Sequence, residues 1–178
     1  MLLKSKKILR GRRCFRFLYK EYIEEYEKVF KHTSLDEFGL ISETYFDFYE
    51  KRQDKLAHYF QTLYNIIKYV DEADSEIDKK KYINLVRAQL SVYELGLLFY
   101  NCLAELGRDK FKPLIEKYSL FKNMPKSILY AQSHTQLYSE TAFKGAPAWT
   151  STRKFESDEE EMSYYFAEAV SDQEDDEK

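Results

Sequence analysis

Two groups of residues in this 178-residue chain have the types and spacing to do chemistry. Arg52 and His58 stand six positions apart. A guanidinium that holds a scissile phosphate, beside an imidazole that moves protons at a ribose 2′-hydroxyl, is the equipment of metal-independent RNA cleavage. The second group is a polar row, Arg87, Ser91, Glu94 and Asn101, at helical steps of three and four with Leu98 between the last two. Ile83, Val86, Leu90, Tyr93, Leu97, Tyr100 and Ala104 line one side of it, and Leu85, Ala88, Leu95, Phe99 and Cys102 the other. A helix apolar nearly all round is a buried helix, so its polar side chains must find partners inside the protein. Two arrangements meet that demand. In one, Arg87 pairs with Glu94 and the row is a closed network stapling two helices. In the other, the row lines a groove open to a ligand.

These residues need helices to position them. The apolar period predicts one long helix over Lys81–Leu106, with Ser75 and Asp78 as its capping residues and Gly107 as its stop. A helix over Leu56–Tyr69 places His58, Gln61, Asn65 and Lys68 on one side and Tyr59, Leu63, Ile66, Ile67 and Val70 on its apolar surface. The short polar connector Asp71–Glu76 makes the two helices antiparallel neighbours. Their polar lines then meet, which gives a candidate binding set of His58, Asn65, Arg87, Ser91, Glu94 and Asn101. Further helices are expected over Arg12–Lys31 and over Ser42–Lys55, the latter after a loop at 33–39 and running with a break into Leu56. Two more follow over Lys112–Phe121, with Pro113 in the first turn, and over Lys126–Ser133 after Pro125. Only five Gly and three Pro argue against an all-β sandwich. The expected fold is all-α: an antiparallel bundle of about five to six helices over residues 1–145. An irregular, acidic, mobile tail over 146–178 follows, carrying one amphipathic fragment, Met162–Val170.

A net charge of −3 conceals a strong asymmetry. Residues 156–178 hold eleven acids and one base, whereas the first twenty residues hold eight bases and no acid. Arg12, Arg13, Arg16 and Lys20 alternate with Phe15, Phe17 and Tyr19, a pattern that could serve the phosphates of a nucleic acid. The same basic head would suit an anionic membrane surface, and the acidic tail would cover it at rest. A protein partner or self-association is expected as well. Cys14 and Cys102 read as free thiols. His32 follows a helix end, His134 reads as a capping or surface residue, and the three histidines are too scattered for a metal. There is no phosphate-cradling glycine loop and no Ser-His-Asp arrangement, so neither cofactor nor metal is expected. No apolar stretch is long enough to span a bilayer and no signal peptide is present, which predicts a cytoplasmic protein, with membrane association through the basic N-terminus as the alternative.

Several segments carry a family likeness. His58-Tyr59-Phe60-Gln61-Thr62-Leu63-Tyr64, Arg87-Ala88-Gln89-Leu90-Ser91, Glu94-Leu95 and Leu98-Phe99-Tyr100-Asn101 together resemble the phage abortive infection proteins of bacteria. The run Gly11–Tyr19 is similar to that family's entry helix, and Phe111–Tyr118 to a stretch further on, so the likeness spans roughly residues 11–124. Gln61 stands where the family typically has Arg. The N-terminal membrane hairpin of many members has no counterpart, so the chain looks like their cytosolic part alone. The resemblance implies a setting in phage defence and no particular reaction. Arg52-Gln53-Asp54-Lys55-Leu56-Ala57-His58 also resembles the Arg-x(4–6)-His motif of HEPN-type ribonucleases. The leading expectation is therefore a defence sensor or interaction module working through the groove between the two core helices. The alternatives are a HEPN-like RNA-cleaving toxin using Arg52 and His58, and a structural or membrane-proximal module with no ligand.

Overall fold

The computed structural model describes Gly11 and residues 13–144. The expectations for Arg12, for the acidic tail with its fragment Met162–Val170, and for the pairing of head with tail lie outside the described residues. Those described form helices joined by turns and loops and contain no strand, as an all-α fold requires. In chain order they form α1 (Arg13–Phe30), α2 (Glu37–Glu50), α3 (Gln53–Glu72), α4 (Lys79–Ala88), α5 (Val92–Asn101), α6 (Glu105–Arg108) and α7 (Lys112–Tyr118). Three 3-10 turns close the domain, at Lys126–Ile128, Gln132–Leu137 and Glu140–Phe143.

The core is built around α5, all of whose residues are buried. α1 and α2 pack on it and on each other. Gly96 lets α1 come close: a Cβ there would lie 2.7 Å from Cε2 of Tyr19. Tyr19 has no room to yield, because its ring is buried and its hydroxyl donates to the carbonyl of Ile128. A mid-helix glycine costs about 1 kcal/mol against alanine, and this contact is what the cost secures. The space between α1, α2 and α5 is filled by rings. Tyr22 meets Tyr45, Phe48 and Tyr100 at centroid separations of 5.3, 5.4 and 4.7 Å, within the range of favourable aromatic pairs. α3 buries Leu56, Phe60, Leu63, Ile67 and Val70, a stripe at steps of four and three. α7 packs against the last turn, where the Phe121 amide donates to Ala142 at 3.0 Å.

Several boundaries differ from the sequence expectation, each for a local reason. α2 begins at Glu37 rather than Ser42, because Asp36 accepts from the Gly39 amide at 2.8 Å and caps the helix. Asp78, not Ser75, caps α4 by accepting from the Lys81 amide at 3.1 Å. The long helix over Lys81–Leu106 is two helices. The amides of Gln89 and Leu90 turn back to the carbonyls of Val86 and Arg87, and Ser91 is extended, with φ −74° and ψ 161°. Ser91 and Glu94 form a capping box that starts a new helix. α4 lies against α3, but α5 turns away to pack on α1 and α2. Downstream, α7 ends at Tyr118, where Ser119 adopts the left-handed conformation with φ 51° and ψ 48°. The helix expected over Lys126–Ser133 is replaced by two 3-10 turns.

Candidate functional site: a basic pocket at Arg87

The break after α4 divides the polar row. Ser91, Glu94 and Asn101 travel with α5 toward the core, and Arg87 stays on the last turn of α4. Glu94, 5 % exposed, has both carboxylate oxygens in use. Oε2 accepts from the Ser91 amide at 2.7 Å and the Ser91 hydroxyl at 2.5 Å. Oε1 accepts from the Tyr59 hydroxyl at 2.7 Å. Asn101 is also buried, its Oδ1 4.0 Å from the Cys102 sulfur. Burial pushes the Cys102 thiol well up, so it is held as a neutral core group. Among the described residues no ion pair joins Arg87 to Glu94, so the expected staple is not formed.

The facing line on α3 does not face this row either. His58, Gln61, Asn65 and Lys68 are exposed. Burying the stripe from Leu56 to Val70 turns the opposite side of α3, and with it His58 and Asn65, to solvent. Tyr59 is the α3 residue that reaches Glu94. The groove expected between His58, Asn65 and the row is thus corrected: its members fall into a buried knot, an exposed face and the surroundings of Arg87. Arg52 and His58 also go separate ways. Arg52 donates through Nε to Glu21 and through Nη2 to Glu25, both at 3.0 Å, and through Nη1 to the Phe48 carbonyl at 3.2 Å. Its guanidinium carbon lies 4.4 Å from the centre of the Phe48 ring. It ties α1 to the α2–α3 junction, with its fork directed at two carboxylates rather than at a phosphate. His58 makes no hydrogen bond or ion pair among the described residues.

Arg87 is 9 % exposed. Its guanidinium donates to Asn84 Oδ1 at 2.9 Å and to the Ser119 carbonyl at 3.2 Å. These bonds hold it at one wall of a solvent-open cavity of about 550 Å³. Lys80 and Asn84 reach the cavity from α4, Lys117 and Tyr118 from α7, and Lys122 and Lys144 from the chain beyond; Ile83 and Ser119 complete it. None of the described lining residues is acidic. Asp71, at the end of α3, ties down one edge: it accepts from Lys117 and from the Tyr118 hydroxyl. The Lys117 ammonium, followed by the Tyr118 hydroxyl, holds the Asp71 carboxyl below the usual carboxylate range.

A second polar cluster had no sequence signal. His134, expected at the surface or at a cap, is buried. Its Nδ1 lies 3.0 Å from the Tyr100 hydroxyl, and its Nε2 3.4 Å from the Tyr26 hydroxyl and 3.2 Å from Glu37. The Tyr130 amide donates to the same Tyr100 hydroxyl at 3.0 Å. Glu37 can only accept, so the neutral ring carries its proton on Nε2, facing that carboxylate, and Nδ1 accepts from the Tyr100 hydroxyl. Burial pushes the His134 pKa down, against an upward pull from Glu37. Burial, then Glu37, pushes Tyr26 up to about 12. These partners are more than thirty residues apart in the chain, beyond the reach of any local pattern.

On the basic head, Arg13 and Lys20 are exposed and the Arg16 guanidinium lies 5.7 Å from the centre of the Tyr93 ring. Phe15 turns inward against Tyr59 at 4.5 Å, while Phe17 is half exposed. Among the described residues, no group of three or more His, Cys, Asp or Glu side chains is arranged to hold a metal. No helix of the described residues is long and apolar enough to cross a membrane.

Arg87, Glu94 and most of the pocket wall lie within one contiguous stretch of the chain. Residues 51–129 match the model of the family described as putative phage abortive infection protein. The likeness read from the segments at His58 and Arg87 is thereby shown over that span. The matched stretch includes Tyr59, Lys80, Arg87, Ser91, Glu94, Asn101, Lys117 and Lys122; it leaves out Lys144, His134 and the Arg52 partners Glu21 and Glu25. No curated protein and no solved structure matches the chain.

Proposed function

We propose that the protein serves in phage defence as a sensing or interaction module, and that its contact site is the Arg87 pocket rather than a line shared between α3 and α5. The observation that supports this reading is the division of the polar row. Glu94 is saturated by Tyr59 and Ser91, whereas Arg87 sits at the edge of a cavity that opens to solvent. A buried, saturated carboxylate has no capacity left for a ligand, while an oriented guanidinium among lysines is suited to an anion. The phage-defence setting comes from the family match over residues 51–129.

The test is phage plating on cells carrying the wild type, Arg87→Gln, His58→Ala and Arg52→Lys, with total RNA followed and the melting temperature of each purified variant measured. The module reading expects Arg87→Gln to lose protection while folding normally, with RNA intact and His58→Ala still protecting. RNA cleavage that depends on His58 would overturn it in favour of a nuclease. Protection unaffected by Arg87→Gln would overturn the pocket as contact site.

A further inference from the structure

We infer that the Arg87 pocket binds a nucleoside polyphosphate, held through its phosphates. The inference rests on the reading of this pocket as the contact site and names the chemistry of what enters it. Lys80 and Arg87 from α4, Lys117 and Lys122 from α7 and the chain just after it, and Lys144 from the last turn converge on one cavity of about 550 Å³. That size lies within the roughly 300–1,000 Å³ of small-molecule sites. A nucleic-acid strand is tracked by a stripe of charge along a surface; convergence on a single depression suits a compact anion of high charge instead. Lys117 is shared with Asp71. Lys80 and Lys144 are exposed and form no ion pair among the described residues. The partly buried Tyr118 ring adds an apolar portion to the wall, where a base rather than a further phosphate would rest.

Two local conflicts converge on the same place. The first turn of α4 is Lys79-Lys80-Lys81, three cations that oppose the helix dipole, with Asp78 at the N-cap as the acid beside them. Ser119 ends α7 in a left-handed backbone conformation that L-residues seldom adopt, and its carbonyl is the one that holds Arg87. Lys80 and Ser119 both lie in the wall of that one cavity.

The experiment is calorimetric titration of the full chain, at low and at physiological ionic strength, with ATP, GTP, inorganic pyrophosphate and a single-stranded RNA oligonucleotide. The variants are the double Lys80→Glu/Lys144→Glu and, as a control that reverses one charge on the exposed face of α3, Lys55→Glu. The expected result is binding of ATP or GTP more tightly than pyrophosphate, weakened at least tenfold by the double variant and little by Lys55→Glu. Pyrophosphate binding as tight as that of the nucleotides would overturn the nucleoside part. Binding of RNA without binding of nucleotides would overturn the ligand class. Plating the double variant separates the two levels of the argument. If none of the probes binds and protection is still lost, the pocket remains the contact site and only the polyphosphate falls. If none binds and protection persists, both fall.

Discussion

Arg87 and Glu94 are seven residues apart in one polar row, and the fold treats them in opposite ways. Glu94 lies at the start of α5, where its oxygens take the Ser91 amide, the Ser91 hydroxyl and the Tyr59 hydroxyl. Arg87 lies at the end of α4, where Asn84 and the Ser119 carbonyl fix its direction and a cavity opens beside it. Three residues of non-helical chain, Gln89–Ser91, separate the two outcomes. A buried charge survives only with its hydrogen-bonding capacity met. The capping box meets that need for Glu94 locally, while Arg87 is oriented across the α4–α7 boundary. The lesson is that a polar row on a buried helix pattern is not one feature until the helix is known to be continuous.

The contrast can be broken most sharply at Glu94. Glu94→Ala leaves Ser91 as the N-cap but removes three charge-assisted bonds at once, two of them the carboxylate half of the capping box, and is expected to lower unfolding free energy by about 3 kcal/mol. Arg87→Gln, which keeps a donor for Asn84 or Ser119, is expected to cost less than about 1.5 kcal/mol. Urea denaturation of both variants checks the pair, and equal losses would mean the two sites are alike after all. Tyr59→Phe takes away one donor from the closed knot and should cost about 1 kcal/mol in the same measurement; no loss would show that the α3 contact adds nothing to the capping box.

On the open side, Ser119→Gly relieves the left-handed backbone at the pocket edge. Its gain is reduced by the entropy of glycine in the unfolded chain, so a net stabilisation of roughly 0.5 kcal/mol is expected, read as a small rise in melting temperature. A loss instead would show that the serine side chain itself is needed there. The smallest effect concerns the buried His134, a closed polar site like Glu94 but titratable near neutrality. Its pKa is depressed in the folded chain by burial, partly countered by Glu37. Below the ordinary value of about 6.5 the unfolded chain takes up a proton that the folded chain refuses. Stability therefore falls as the pH drops from about 6.5 toward the folded pKa, and this contribution is constant above it. His134→Gln should flatten that limb of a melting-temperature against pH profile; an unchanged slope would assign it to other groups.

Much of the helical frame was legible because its signals are local. The stripe Leu56, Phe60, Leu63, Ile67 and Val70 has helical period and is buried as a stripe, and Pro113 does stand in the first turn of α7. The break at Gln89–Ser91 was legible in principle, since Ser91-x-x-Glu94 is a capping-box pattern. It was hidden because Leu90, Tyr93, Leu97 and Tyr100 carry the apolar period straight across it. The candidate site was legible only in Arg87: the lysines around it come from positions as distant as 80 and 144, and a charged residue in an exposed pattern looks the same whether or not it converges on a cavity.

The sequence by itself determined that this chain is helical, which stripes are buried, and that residues such as Glu94 and Asn101 had to be satisfied inside the protein. Periodicity, capping and burial cost act over a few residues and are written in them. Only the tertiary structure decided that α5 leaves α3 to pack on α1 through Gly96 and Tyr19, that Tyr59 rather than His58 meets Glu94, that His134 is enclosed by Tyr26 and Tyr100, and that four lysines gather around Arg87. Those outcomes depend on which helix faces pack together, and packing is settled by the shape and volume of side chains far apart in the chain.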